Sequence, residues 1–111
     1  MNISYIDLGV GGKRPVCFSL AAAEEFEKEF GSLTDMNEAL VNGKAAAINK
    51  ILDIMFRAGT IYCNEVGMEC PPPLKCRPAD LIDVRDKTIV SQIFAALSQD
   101  SERTVEVKSK N

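Results

Sequence analysis

Cys17, Cys63, Cys70 and Cys76 are the residues best able to do chemistry in this 111-residue chain, which contains no histidine and no tryptophan. Three of the four fall within one short stretch, and a cluster of thiolates invites a zinc reading. Structural zinc sites pair their ligands at C-x2-4-C spacing. Here six residues separate Cys63 from Cys70 and five separate Cys70 from Cys76. Cys17 would have to supply the fourth thiolate from far upstream. The spacing argues for buried or incidental thiols, with no metal and no cofactor. The missing histidine also removes the side chain most used for acid–base work near neutral pH.

Gly9-Val10-Gly11-Gly12-Lys13 has the look of a phosphate loop. Such a loop needs a glycine five positions before the Gly-Lys pair, then Ser or Thr, then a helix. Asp7 holds the earlier position, Arg14-Pro15 follows, and a strand comes next. The stretch therefore reads as a hairpin turn, with Gly11-Gly12 supplying the positive φ values. Glu24, Glu25, Glu27 and Glu29 have nothing apolar around them to raise a pKa, so they read as a solvated helix face. Cys70-Pro71-Pro72-Pro73-Leu74 could dock in an aromatic groove as a polyproline ligand, but a rigid connector is the better reading.

The elements that must position these residues follow from periodicity. Lys44 to Val66, KAAAINKILDIMFRAGTIYCNEV, is the longest unbroken helical pattern. Ile48, Ile51, Leu52, Met55, Phe56, Ala58, Tyr62 and Val66 recur three and four apart along one face. Ala45, Ala46, Ala47 and Ile54 widen that face, which predicts a central helix with neighbours on more than one side. Gly59 costs a helix interior about 1 kcal/mol, yet the register runs past it to Gly67, the better left-handed stop.

Upstream, Asn2 to Phe18 alternates as a β-hairpin, with Ile6, Leu8 and Val10 before the turn and Val16 and Phe18 after it. Ser19 is a good N-cap for LAAAEEFEKEF, whose buried face is expected to be Leu20, Ala23, Phe26 and Phe30, with Gly31 ending it. Thr34 to Leu40 is a short second helix, and Asn42-Gly43 turns the chain into the central one. Gly67 to Pro78 cannot be regular structure, because three consecutive prolines remove three N–H donors. Pro78 suits the first turn of a short helix carrying Leu81, Ile82 and Val84. Asp86 caps a last amphipathic helix to about Ser98, with Ile89, Val90, Ile93, Phe94 and Leu97 on its apolar stripe. The pattern divides into a single domain over 1–99 and a tail over 100–111, expected to be disordered or to fold only on binding.

Bulk composition narrows the function classes. The net charge is −3 with both signs interspersed, which argues against nucleic acid, since phosphate contact draws on clustered Lys and Arg. No apolar run approaches membrane-spanning length and no secretory signal precedes the hairpin. The default compartment is a cytoplasm, where the thiols stay reduced.

The order of features carries a resemblance. The N-terminal hairpin leads into SLAAAEEFEKEFGSLTDMNEAL, a helix ending IMFRAG crosses to a further apolar segment, and RPADLIDV precedes a final amphipathic helix. From Ile3 to Leu97 this resembles the small tail assembly chaperones of long-tailed bacteriophages and prophages. The resemblance implies an α+β domain, an N-terminal β-hairpin packed on a small bundle of about four to five α-helices, and no enzymatic activity. Members are similar in binding the long helical tape measure protein in the host bacterial cytoplasm while tail-tube subunits assemble around it. It also implies the tail-tube protein as a further partner. The insert at Gly67 to Pro78 departs from the shorter connection expected of the family.

A chaperone for an amphipathic client needs apolar surface of its own. The candidate client-binding residues are Met36, Leu40, Met55, Phe56, Ile61 and Tyr62, with Met68 and Leu74 beside them. Flexible methionines can repack against varied partners. Each is also a plausible core residue, and core is the favoured reading for any single one, because large apolar residues are usually inside. The same surplus could be buried in a homo-oligomer, as in a structural phage component such as a head–tail connector subunit, which is the alternative reading. An enzyme or metal protein is the least favoured.

Overall fold

The computed structural model describes residues 3–98. The expected tail from Asp100 to Asn111 and the domain limit at residue 99 lie outside the described residues. The fold is α+β, an N-terminal two-stranded antiparallel hairpin packed against four helices.

Strands β1 (Ser4–Asp7) and β2 (Lys13–Val16) pair with Ser4 opposite Val16, Tyr5 opposite Pro15, Ile6 opposite Arg14 and Asp7 opposite Lys13. Ile6, Leu8 and Val16 are buried, as the alternation predicts. The turn differs from expectation. Loop residues 8–12 close the hairpin around a 3-10 turn at Gly9–Gly11, with the Asp7 carboxylate accepting from the Gly9 N–H at 2.8 Å. Positive φ falls on Gly9 (73°) and Gly12 (74°), not on a Gly11-Gly12 pair. This longer loop carries Val10 to its tip, where it is 90% exposed instead of continuing the buried row. Gly11 sits close against Leu81: a Cβ there would lie 2.9 Å from Leu81 Cδ1, a side-chain tip that would have to shift.

The Asp7 N–H donates to Gln92 Oε1 at 2.7 Å, and the Asp7 carbonyl accepts from Gln92 Nε2 at 3.1 Å. Asp7 therefore points away from β2, and the two-residue period points Tyr5 the same way. Pro15, opposite Tyr5, then has its missing N–H on the outer edge of β2, where no ladder bond is lost.

Helix α1 (Leu20–Phe30) starts at Ser19, whose hydroxyl accepts from the Ala22 N–H at 3.1 Å. Its buried residues are Ala22 and Phe26, while Leu20 is 83% exposed. Leu20 sits two residues before Ala22, about 200° around the helix, so burying Ala22 and Phe26 turns it outward. Helix α2 (Leu33–Val41) is capped by Ser32 and buries Met36 and Leu40.

Helix α3 (Ala45–Val66) is the axis, and α1, α2 and β2 all pack on it. Ile51, Leu52, Ile54, Met55 and Phe56 are buried along it, whereas Ala45 and Ala46 are exposed in the first turn. Gly59 is where β2 crosses: a Cβ there would run into the Pro15 carbonyl and lie 2.7 Å from Val16 Cα. The helix ends at Gly67 in the left-handed conformation, with the Met68 N–H donating to the Cys63 carbonyl at 2.8 Å.

Beyond α3 the chain has no regular structure until a 3-10 turn at Pro78–Leu81, tied to α3 by the Ala79 N–H donating to Asn49 Oδ1 at 2.9 Å. The expected helix carrying Leu81, Ile82 and Val84 stops there. Ile82 is extended and Val84 is 94% exposed. Asp83 and Asp86 cause this by accepting from the N–H groups of Arg85 and Thr88, both at 2.8 Å, which turns the chain locally. Helix α4 then covers 88–98 of the described chain and buries Ile89, Ile93 and Ala96. One apolar cluster joins the hairpin and all four helices.

Candidate functional site

The six residues expected to form a client surface divide sharply. Met36, Leu40 and Met55 are core side chains with essentially no exposed surface, so they present nothing to a partner. Their expected surface role is corrected by the helix phase, which turns all three into the cluster around Phe26 and Ile51. Tyr62 is half-buried. Phe56 is 8% exposed and Ile61 is 64% exposed, and these two line the same groove.

That groove, about 470 Å³ in volume, runs between α3 and the proline segment. Asp53, Phe56, Arg57, Thr60 and Ile61 form one wall. Their spacing of three, four, seven and eight places them on a single helical stripe. Pro73, Leu74, Cys76 and Pro78 form the other wall, with Arg14 of β2 also in the lining. Leu74 packs partly on the core, which seats that wall.

The proline segment connects α3 to the 3-10 turn and is also a groove wall, because Arg14 holds it. Nη1 and Nη2 of Arg14 donate to the Pro72 carbonyl at 2.9 and 2.8 Å. Nε of Arg14 is buried and has no hydrogen-bond partner. Across the groove, Arg57 pairs with Glu25 at 3.2 Å and with Asp53 at 3.4 Å. Lys50 pairs with Glu29 at 3.4 Å. Part of the acidic face of α1 is thus paired to α3 rather than simply solvated. Sequence reasoning missed Arg14, Arg57 and Thr60 as lining residues. The helical stripe from Asp53 to Ile61 was the available signal, hidden because it mixes polar and apolar types.

None of the four cysteines forms a disulfide. Cys17 and Cys63 are buried, and burial pushes the Cys63 thiol above its ordinary value, with the charge of nearby Cys70 adding to the shift. Cys70 donates to Asn64 Oδ1 at 3.6 Å, and Cys76 is exposed in the groove lining. Among the described residues no three His, Cys, Asp or Glu side chains gather where they could hold a metal ion. No helix among them is long and apolar enough to cross a membrane.

No family model, no curated protein and no solved structure matches the chain.

Proposed function

We propose that this chain is a non-catalytic binding protein of the phage or prophage tail assembly chaperone kind. In this reading it works in the host bacterial cytoplasm and holds amphipathic helical segments of a tape measure protein while the tail tube assembles. The observation that carries the reading is the groove in which Phe56 and Ile61 on α3 face Leu74 and Pro73. A half-open apolar trough beside a helix is the arrangement that helix-in-groove recognition uses. Prolines restrict the second wall before any partner arrives, so less conformational freedom is lost on binding.

Co-expression with the tape measure protein tests it. The client should be soluble only when this chain is present. Ile61→Asp should abolish that rescue while circular dichroism stays unchanged, because Ile61 is largely exposed and takes no part in the core. Phe56 is unsuited to this test, since its burial means that Phe56→Asp perturbs folding as well. A folded parent that neither binds nor solubilises the client overturns the reading. So does a stable homo-oligomer, seen by light scattering, that the client does not dissociate.

A further inference from the structure

We infer that the groove recognises a carboxylate on its helical partner, and that Arg14 is the residue that reads it. The inference rests on the reading of the groove as a helix-binding site. Among the described residues, Arg57, Arg77 and Arg85 each pair with a carboxylate. Arg14 pairs with none. Its one acceptor is the neutral Pro72 carbonyl, which takes a hydrogen from each of Nη1 and Nη2. A guanidinium has five N–H donors; two of them go to Pro72, and the Nε–H is buried with no acceptor.

This is an unusual place for an unneutralised charge. Arg14 lines a groove whose neighbours include Phe56, Ile61, Pro73 and Leu74, and part of its water is already displaced. A charge held in apolar surroundings without a counter-ion is costly, and a carboxylate is the group that best matches the planar donor array. Asp53, in the same lining, does not fill that role, because it is engaged by Arg57.

The groove sets the form of the partner. From Asp53 to Ile61 the α3 wall rises about 12 Å, roughly two helical turns. The complementary segment is an amphipathic helix with apolar side chains at positions such as i, i+4 and i+7. One Glu or Asp flanks that stripe on the side that meets β2. The apolar stripe supplies attachment, and the carboxylate fixes which way round and in what register the helix lies.

The test uses synthetic 18-residue helical peptides with a leucine stripe, identical except that a single Glu is moved along one flank. Each has a Gln twin at the same position. Binding is read by fluorescence anisotropy and by protection of Cys76 in the groove lining from alkylation. We expect one Glu placement to bind about tenfold tighter than its Gln twin, a margin that shrinks in high salt. Arg14→Met should erase the preference, and Arg14→Lys, which keeps the charge, should retain part of it. Equal binding of every Glu and Gln pair overturns the inference, as does a preference that survives Arg14→Met or a set in which no peptide protects Cys76. Should Arg14→Met fail to fold, the Glu–Gln comparison on the parent and the Arg14→Lys variant still decide. The co-expression experiment is scored separately: client rescue without a carboxylate preference removes the role of Arg14 alone. A carboxylate preference without rescue removes the tape measure protein as partner.

Discussion

At Gly59 two rules about glycine oppose each other. In a helix interior Gly59→Ala gains about 1 kcal/mol of propensity. The added Cβ, however, would lie 2.6 Å from the Pro15 carbonyl carbon and 2.7 Å from Val16 Cα. Both are backbone atoms of a paired strand and cannot swing aside as a side-chain tip can. Packing should win, with a net loss of about 2 kcal/mol or more, read as a lower urea midpoint. A variant more stable than the parent would show that β2 does not press on α3. The sequence shows that a helix tolerates glycine at this position, but it cannot show why, because the cause lies in a strand more than forty residues upstream. The hairpin turn teaches the same lesson in reverse. A glycine pair suggested a tight turn, yet loop length decided which glycines take positive φ, and those are Gly9 and Gly12.

Elements were most legible where local chemistry alone sets their limits. Ser19 and Ser32 cap α1 and α2 through their hydroxyls, and Gly67 stops α3 in the left-handed conformation. The proline segment was legible only as irregular. Its place as a groove wall depends on Arg14, 58 residues away from Pro72 in sequence. At the start of α4, the Thr88 hydroxyl and then the Thr88 N–H hold the Asp86 carboxyl below its ordinary value. A lowered carboxyl pKa in the folded state adds stability that is complete above the unfolded value, about 3.9, and fades as pH falls through the lower folded value. Asp86→Asn should therefore be less stable than the parent at pH 5, with the gap narrowing towards pH 2.5. Asp83, lowered by its hydrogen bonds from Arg85, titrates in both proteins, and its charge opposes the Asp86 carboxylate, which trims the gap without reversing its sign. Thermal midpoints across that range check it, and a gap independent of pH would contradict it.

For the molecule as a whole, one apolar cluster takes residues from the hairpin and from every helix, Ile6, Phe26, Met36, Ile51 and Ile93 among them. No element can then leave without opening the core for the rest. Phe26 is fully buried and stacks obliquely on Phe18 at a centroid distance of 5.7 Å. Phe26→Ala should cost about 3–5 kcal/mol, a large share of the 5–15 kcal/mol typical of a domain. Far-ultraviolet and near-ultraviolet signals should still melt together, and separated transitions would show that the helices unfold apart from the hairpin. The core's membership was half legible, since periodicity identified the apolar faces but left open which large side chains would stay outside. The hairpin has a further consequence at this scale. A two-stranded sheet has two borders, each of which could template another chain's strand. Here the Gln92 amide sits on the Asp7 N–H and carbonyl at one border, while Pro15 and the nearby α3 backbone close the other. A strand from a second copy of this protein would meet an occupied Asp7 at one border and a missing donor at Pro15 at the other, which makes the hairpin a poor template for fibre growth.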